Sequence, residues 1–505
     1  MITGSKKLIS VLLLAAMAFS ALAACGESGQ DAPAASTTAA ADAGEAAVTD
    51  AETEPPTDLE LRAMVSDDLP EADFGGYTWR IVAETDFLNH YLVEEESGDV
   101  IDDAVYGRNL RVAERYNINY EIVCETGQGD FIKKCVAAGE DAFDVVSMHV
   151  VSLSGNAVNG NFMNMYDLPY INFEKPWWGQ SNIDDLTYHG VALMGVGNYG
   201  LNSIGQTYCV FFDKQKVENY ALGDLYSIVR DGKWTIDKQT ELTQDIYVDQ
   251  NADGQRDIED LYGFATSPYS NINAYLWAFD NPIIDIADDG SISVVIHTPK
   301  ASSIVEKLVH ITHDVVGTFY STKYQSKDGM GKHGGPRDLF VKGNVLLANG
   351  LFEYSLRYFR DCPDFGIIPY PKWDETQERY LTMVDGGHAA QAVPLTVSDV
   401  ERTSIILEAL NAETYKTVVP AYYEIALKVK YARDNESVEM MDMIMESRIF
   451  DFGYVYDNWN GASFWLENLV ASKKPDFESY YAKNEKKIMK YYQKVFDLFD
   501  EYANA

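Results

Sequence analysis

Positive charge is scarce in this sequence. Lys and Arg number 40 against 78 Asp and Glu, a formal net charge of −38 at pH 7. A nucleic-acid partner needs a basic footprint on which to place phosphates, so that class is excluded. Strongly anionic ligands are disfavoured for the same reason, while an acidic surface keeps the chain soluble. Cysteine is scarce too, with five in 505 residues, at spacings that match no zinc motif. Cys124 and Cys135 could pair in an oxidising compartment, but Cys209 lies in the apolar run "YCVFF", where a buried thiol fits better. Catalytic signatures are missing: there is no GxSxG, no HExxH and no phosphate loop. A glycoside hydrolase needs two carboxylates facing each other across the scissile bond. Glu353 and Asp385 can be imagined in that role, but no motif singles them out.

Long apolar runs are confined to the N-terminus. Lys6 and Lys7 precede the run Leu8 to Ala24, too short and too Ala-rich for a membrane span. It ends in "LAAC", small residues before Cys25, which resembles a bacterial lipobox. In that pattern residues 1–24 are a lipoprotein signal peptide and Cys25 takes the lipid. Residues 25–72, rich at first in Ala, Thr, Asp, Glu and Gly, then read as a disordered tether. The expected location is outside the cytoplasm, anchored to the cell membrane.

What is present begins near Phe74. "YTWRIVAE" (Tyr77 to Glu84) reads as a strand. Val100 to Asn117 reads as a helix with Ile101, Val105, Leu110 and Val112 at helical intervals. "INYEIV" and "AFDVVSMH" are further strands with a helix around Asp130 to Gly139 between them. Alternating strands and helices imply an α/β sheet covered on both faces, with ligand outside the carboxyl ends of its strands. That rule points to Glu84 to Asn89 and Ser147 to His149. A second α/β region follows "YCVFFD". It has a helix N-capped by Thr235, a hairpin at "IIDIADDGSISVVI", a helix entered through Thr298-Pro299, and strand-like runs at "NVLLANGL" and "FGIIPYPKW". The Gly- and Lys-rich stretch Ser321 to Asp338 reads as a mobile surface loop.

The order of these segments resembles the family 1 extracellular solute-binding proteins, the maltose-binding-like lipoproteins of ABC sugar importers. The cues are the lipobox with its tether, "DDAVYGRNLRVAERYNI", "FDVVSMH", "KPWW", "LYSIVRDGKWTIDKQTELT", "HTPKASSIVEKL", "LLANGLFEY", "FGIIPYPKWDE" and "DNWNGASFWL". The resemblance implies a two-lobed α/β, periplasmic-binding-protein-like fold with a ligand cleft between the lobes. It implies crossovers near Gln206 to Tyr208, Asp385 to Gly387 and Phe450 to Tyr456. Lobe 1 is then residues 73–207 and 386–450, and lobe 2 is residues 208–385 and 451–505. It further implies a monomer whose partners are a mono- or oligosaccharide and the membrane subunits of an ABC importer.

A sugar presents apolar C–H faces and a rim of hydroxyls. Its site wants flat aromatic platforms beside groups that can satisfy those hydroxyls. The candidate platforms are Trp177, Trp277 and Trp459, with Trp178 and Trp465 behind them. Trp459 stands out because "DNWNGAS" is too polar for a core segment. The polar candidates are Glu84, Asp86, His149, Asn349, Glu353, Asp385 and His388.

One stretch falls outside this scheme. "VDQNADGQRDIEDLYG" places Asp249, Asn251, Asp253, Gly254, Asp257 and Asp260 in the D-x-[DN]-x-[DN]-G rhythm of an EF-hand calcium loop, with Asp260 at the twelfth position. The backbone carbonyl of Gln255 completes the expected donor set for one structural Ca²⁺. A calcium-dependent surface adhesion or scaffold lipoprotein is the alternative function this loop allows. Dockerin-type modules, however, carry two such loops, and only one occurs here.

Overall fold

The computed structural model describes residues 56–268, 270–287, 289–327, 331–362, 364–431, 434–459 and 461–505. The signal segment, Cys25 and the rest of the chain to residue 55 lie outside them. The tether expected to run to residue 72 ends sooner. Thr57 Oγ1 accepts from Glu60 N and Glu60 accepts from Thr57 N, a capping box that opens the helix Asp58–Met64. Val65, Leu69 and Ala72 then pack on the first core, and Asp67 pairs with Arg115. Apolar side chains that find cover hold this segment in place, which the composition of the preceding residues did not suggest.

The first sheet is built on β1 (Tyr77–Ala83), which pairs in parallel with β2 (Ile118–Cys124) and β3 (Val145–His149). Trp79, Ile81 and Ala83 enter one core and Val82 the other, so the sheet is covered on both faces. The helix Val100–Tyr116 starts on the Asp99 cap and ends at Asn117, which takes the left-handed conformation. It buries Val105, Asn109, Val112 and Tyr116. Leu110 was expected on this stripe but is 46% exposed, because position 110 sits off the face that 105, 109, 112 and 116 define.

The second sheet is mixed. Fully buried β4 (Tyr208–Asp213) lies within it. β5 (Tyr247–Val248) and β6 (Leu261–Thr266) flank the acidic loop, β7 (Ile284–Ile286) and β8 (Ile292–Val294) form the expected hairpin apart from it, and β9 (Thr318–Tyr320) runs parallel beside β6. β10 (Val345–Leu351) sits between β6 and β4, and β11 (Phe365–Ile368) is antiparallel to β4 on its other side. Thr235 and Thr298 cap their helices as expected, accepting from Lys238 N and Ala301 N. The far half of the expected mobile loop is packed: Gly334, Gly335 and Arg337 are buried, and a helix starts at Gly335. The thiols of Cys124, Cys135 and Cys209 are free.

The chain then returns. β12 (Thr382–Met383) precedes β13 (Ala389–Ala392), which joins the first sheet antiparallel to β3. Thr207 bridges Val384, Asp385 N donates to Gln206 O at 2.8 Å, and β14 (Arg448–Ile449) runs parallel to β12. Three connections between the two sheets thus lie side by side.

Two expected boundaries shift. The helix Asn435–Glu446 was expected in lobe 1 but packs on β11 of the second sheet, where Asp434 pairs with Lys214 and Glu436 and Glu439 with Arg230. Its buried stripe of Ser437, Met440, Met441 and Ile444 needs that cover. The last helix, Phe477–Ala503, belongs to neither lobe alone. Its first turn is held to the second lobe by Glu478, which bonds His297 and Ser302. Its last turn is held to the first by Tyr502, which donates to Phe162 O, and by Asp500 beside His189.

Candidate functional site

The site forms where the carboxyl end of β3 meets the returning connection. Asp385 is its pivot. Its Oδ2 accepts from Tyr208 Oη at 2.7 Å, its Oδ1 from Gly387 N at 2.8 Å, and its carbonyl from the Nδ1 of His388 at 2.6 Å. Gly386 donates to Tyr454 Oη, and a Cβ at 386 would stand 2.5 Å from that oxygen and 2.8 Å from Val151 Cγ2. Only glycine allows this close a crossing.

His149 closes β3, and its backbone N donates to Glu84 Oε2 at 2.9 Å. Glu84 follows β1, so the two strand ends single out each other. Burial lowers the His149 pKa, against the opposing pull of Asp385 and Glu84. His388 is fully buried, and burial takes its pKa down to about 4. Glu353, just after β10, is pushed up by burial against the pull of Arg357, whose Nη1 is 3.5 Å away. Asn349 on β10 accepts from Tyr275 Oη at 3.3 Å. Among the described residues, His149 Nδ1 and His388 Nε2 here, and Asn349 Nδ2 on β10, are buried with no protein partner. Buried groups of this kind are nearly always hydrogen-bonded, so these three stand out.

Trp459 supplies the aromatic surface. It is 55% exposed with φ of 60°, its ring stacks on Phe464 at 5.4 Å and 14°, and it lies 5.6 Å from the His149 ring. The turn that carries it is fixed by buried Asp457, which accepts from Gly461 N and Ala462 N. Burial raises the Asp457 pKa to about 6.

Of the expected residues, Glu84, His149, Glu353, Asp385, His388 and Trp459 come together, Asn349 and Asp86 stand apart, and two tryptophans are sealed in the core. Trp177 is fully buried, with its Nε1 donating to Glu408 Oε1 at 2.9 Å. Trp178 donates to the other oxygen at 2.7 Å. Trp277 is buried and donates to Asp451 Oδ2 at 2.8 Å. Both expected platforms are core residues, because a buried carboxylate satisfies each indole N–H. Trp465 is buried as well. Asp86 lies at one side, lining a cavity of about 320 Å³ with His90, Asp102, Glu353, Arg357 and Tyr422. Sequence reasoning missed Tyr454, Tyr275 and His333. His333 was lost inside the supposed loop, yet it feels the Asp385 charge from the second lobe.

In the acidic loop, Asp249 Oδ2 accepts from Gly254 N at 3.0 Å, and Asp260 Oδ2 accepts from Tyr247 Oη at 3.0 Å. Among the described residues no three His, Cys, Asp or Glu side chains are drawn together to hold a metal. None of their helices is long and apolar enough to cross a membrane.

No family model matches the chain, and no curated protein matches it. Solved structures do. An ABC substrate-binding protein of Listeria monocytogenes in complex with cycloalternan is similar at TM-score 0.52 and 12% identity, covering 82% of this chain and 98% of its own. UgpB of Mycobacterium tuberculosis in complex with glycerophosphocholine is similar at TM-score 0.51 and 14% identity, covering 84% and 99%. An ABC transporter solute-binding protein of Thermotoga lettingae bound with alpha-D-tagatose is similar at TM-score 0.50 and 13% identity, covering 85% and 100%. The chain has the two-lobed α/β fold of these proteins.

Proposed function

We propose that this protein is a family 1 extracellular solute-binding protein. It captures a neutral mono- or oligosaccharide between its lobes and delivers it to the membrane subunits of an ABC importer, anchored outside the cytoplasm through lipidated Cys25. The observation that carries the reading is the half-exposed Trp459 beside His149, at the mouth of the crossing strands. An indole face suits the C–H surface of a sugar ring. The unpaired His149 Nδ1, His388 Nε2 and Asn349 Nδ2, drawn from both sheets and the hinge, suit its hydroxyls. Glu84, Glu353 and Asp385 make the site acidic, which disfavours a phosphodiester such as the one UgpB holds. The order of motifs along the chain supports the family. Asp385 accepts at both oxygens, from Tyr208 and from Gly387, which fixes its carboxylate in the crossing.

A thermal-shift panel of neutral mono- and oligosaccharides tests the reading, because a ligand that binds only the folded state raises the melting temperature. At least one saccharide should do so and be recovered intact after overnight incubation. Cleavage of that sugar by the pure protein would overturn the binding reading.

A further inference from the structure

We propose that residues 249–260 form a calcium site whose fixed end is the pair Asp249 and Asp260. The β5–β6 ladder sets Tyr247 opposite Tyr262 and Val248 opposite Leu261. The ladder ends there, and Asp249 and Asp260 are the next residues on its two strands. Like charges on paired strands repel and destabilise the ladder. Asp260 is also fully buried. Its Oδ2 is used by Tyr247 Oη and by Asp257 N, but its Oδ1 is buried without a protein partner, and so is Asp249 Oδ1.

No protein cation answers this charge. Among the described residues, no Lys, Arg or His forms an ion pair with Asp249, Asp253, Asp257 or Asp260. Lys342 pairs instead with Glu259. Arg256, inside the loop, donates to Val316 O and Thr318 O and lies over the rings of Tyr247 and Tyr262. A buried carboxylate without a counter-charge is costly, and a cation between the two oxygens removes the cost. Every donor in reach is an oxygen, the chemistry of a hard divalent ion, and calcium accepts about six to eight of them in flexible geometry.

The remaining ligands sit at the right spacing but face their own backbone. Asp253 Oδ1 accepts from Gln255 N, and Asp257 Oδ1 from Glu259 N. Binding therefore turns Asn251, Asp253, the Gln255 carbonyl and Asp257 inward onto the fixed pair and orders the loop. The bend this requires is in place, with Ala252 at φ 57° and Gly254 at φ 72°. The loop is followed by strand β6 rather than a helix, so no helix pair opens and the ion acts as a clamp. Arg256 extends the clamp to β9, the wall of a cavity of about 840 Å³. This inference is independent of the sugar-binding reading.

The test is native mass spectrometry and thermal melting of the whole protein, stripped with EDTA and then supplied with CaCl2. One calcium ion per chain is expected, with the melting temperature raised by about 2 °C or more. Asp249→Asn and Asp260→Asn should abolish that rise. Without calcium, Asp260→Asn should melt no lower than the stripped parent, because the repulsion is gone. Asp253→Asn, at an exposed position that leaves folding intact, should weaken calcium binding about tenfold or more. No bound calcium at ~1 mM, the weak limit of such sites, would overturn the proposal. So would variants that bind as tightly as the parent.

Discussion

The rings of His149 and Trp459 lie 5.6 Å apart, tilted by 44°. One ends a strand of the first sheet and the other sits on a turn near the C-terminus, so the contact exists only in the folded chain. Trp459 is half-exposed, whereas Trp177 is sealed in the first core on Glu408. Their mutants should separate cleanly. Trp459→Ala is expected to cost about 1 kcal/mol or less in urea denaturation. Trp177→Ala should cost about 3–5 kcal/mol, because it opens a cavity and strands a carboxylate oxygen. The reverse order would place Trp459 in the core.

His388 gives a pH signature. Its pKa in the fold is about 4, against an ordinary value of 6.5, because burial penalises the charged ring. A depressed histidine contributes stability that is fully present above the unfolded value, about 6.5. That contribution declines as the pH falls toward 4, since the unfolded chain takes the proton first. The loss is on the order of 3 kcal/mol. An NMR titration of the ring should find His388 neutral at about pH 5.5. A midpoint near the ordinary value would mean that the returning connection opens readily to water.

The helix Phe477–Ala503 spans about 40 Å and is tied to one lobe at each end. Tyr502→Phe combined with Asp500→Ala frees its last turn from Phe162 and His189. Stability should fall by about 1–2 kcal/mol. The radius of gyration of the ligand-free protein, measured by small-angle scattering, should rise. No change in that radius would mean the helix does not limit how far the lobes open.

Local chemistry made much of this legible. Thr235 and Thr298 announce their helices through caps, and β1 to β3 show as apolar runs. Glu84 and His149 followed from the rule that ligands gather at strand ends. What stayed hidden depends on contacts far apart in sequence. Trp177 and Trp277 look like any cleft tryptophan until Glu408 and Asp451 are found beneath them. The helix Asn435–Glu446 changes lobe because β11 needs cover. His333 was masked by the glycines around it, which suggest a loop but serve close packing at Gly334 and Gly335. The placing of Asp249 and Asp260 at the end of one ladder needed the β5–β6 register.

The most direct measurement is isothermal titration calorimetry of neutral mono- and oligosaccharides into the parent protein and into Trp459→Ala. One saccharide should bind the parent at one site per chain, with affinity about 1 μM or tighter, and bind Trp459→Ala at least about tenfold more weakly. If no saccharide binds the parent, or if the best one binds Trp459→Ala equally well, the protein does not capture sugar on this platform.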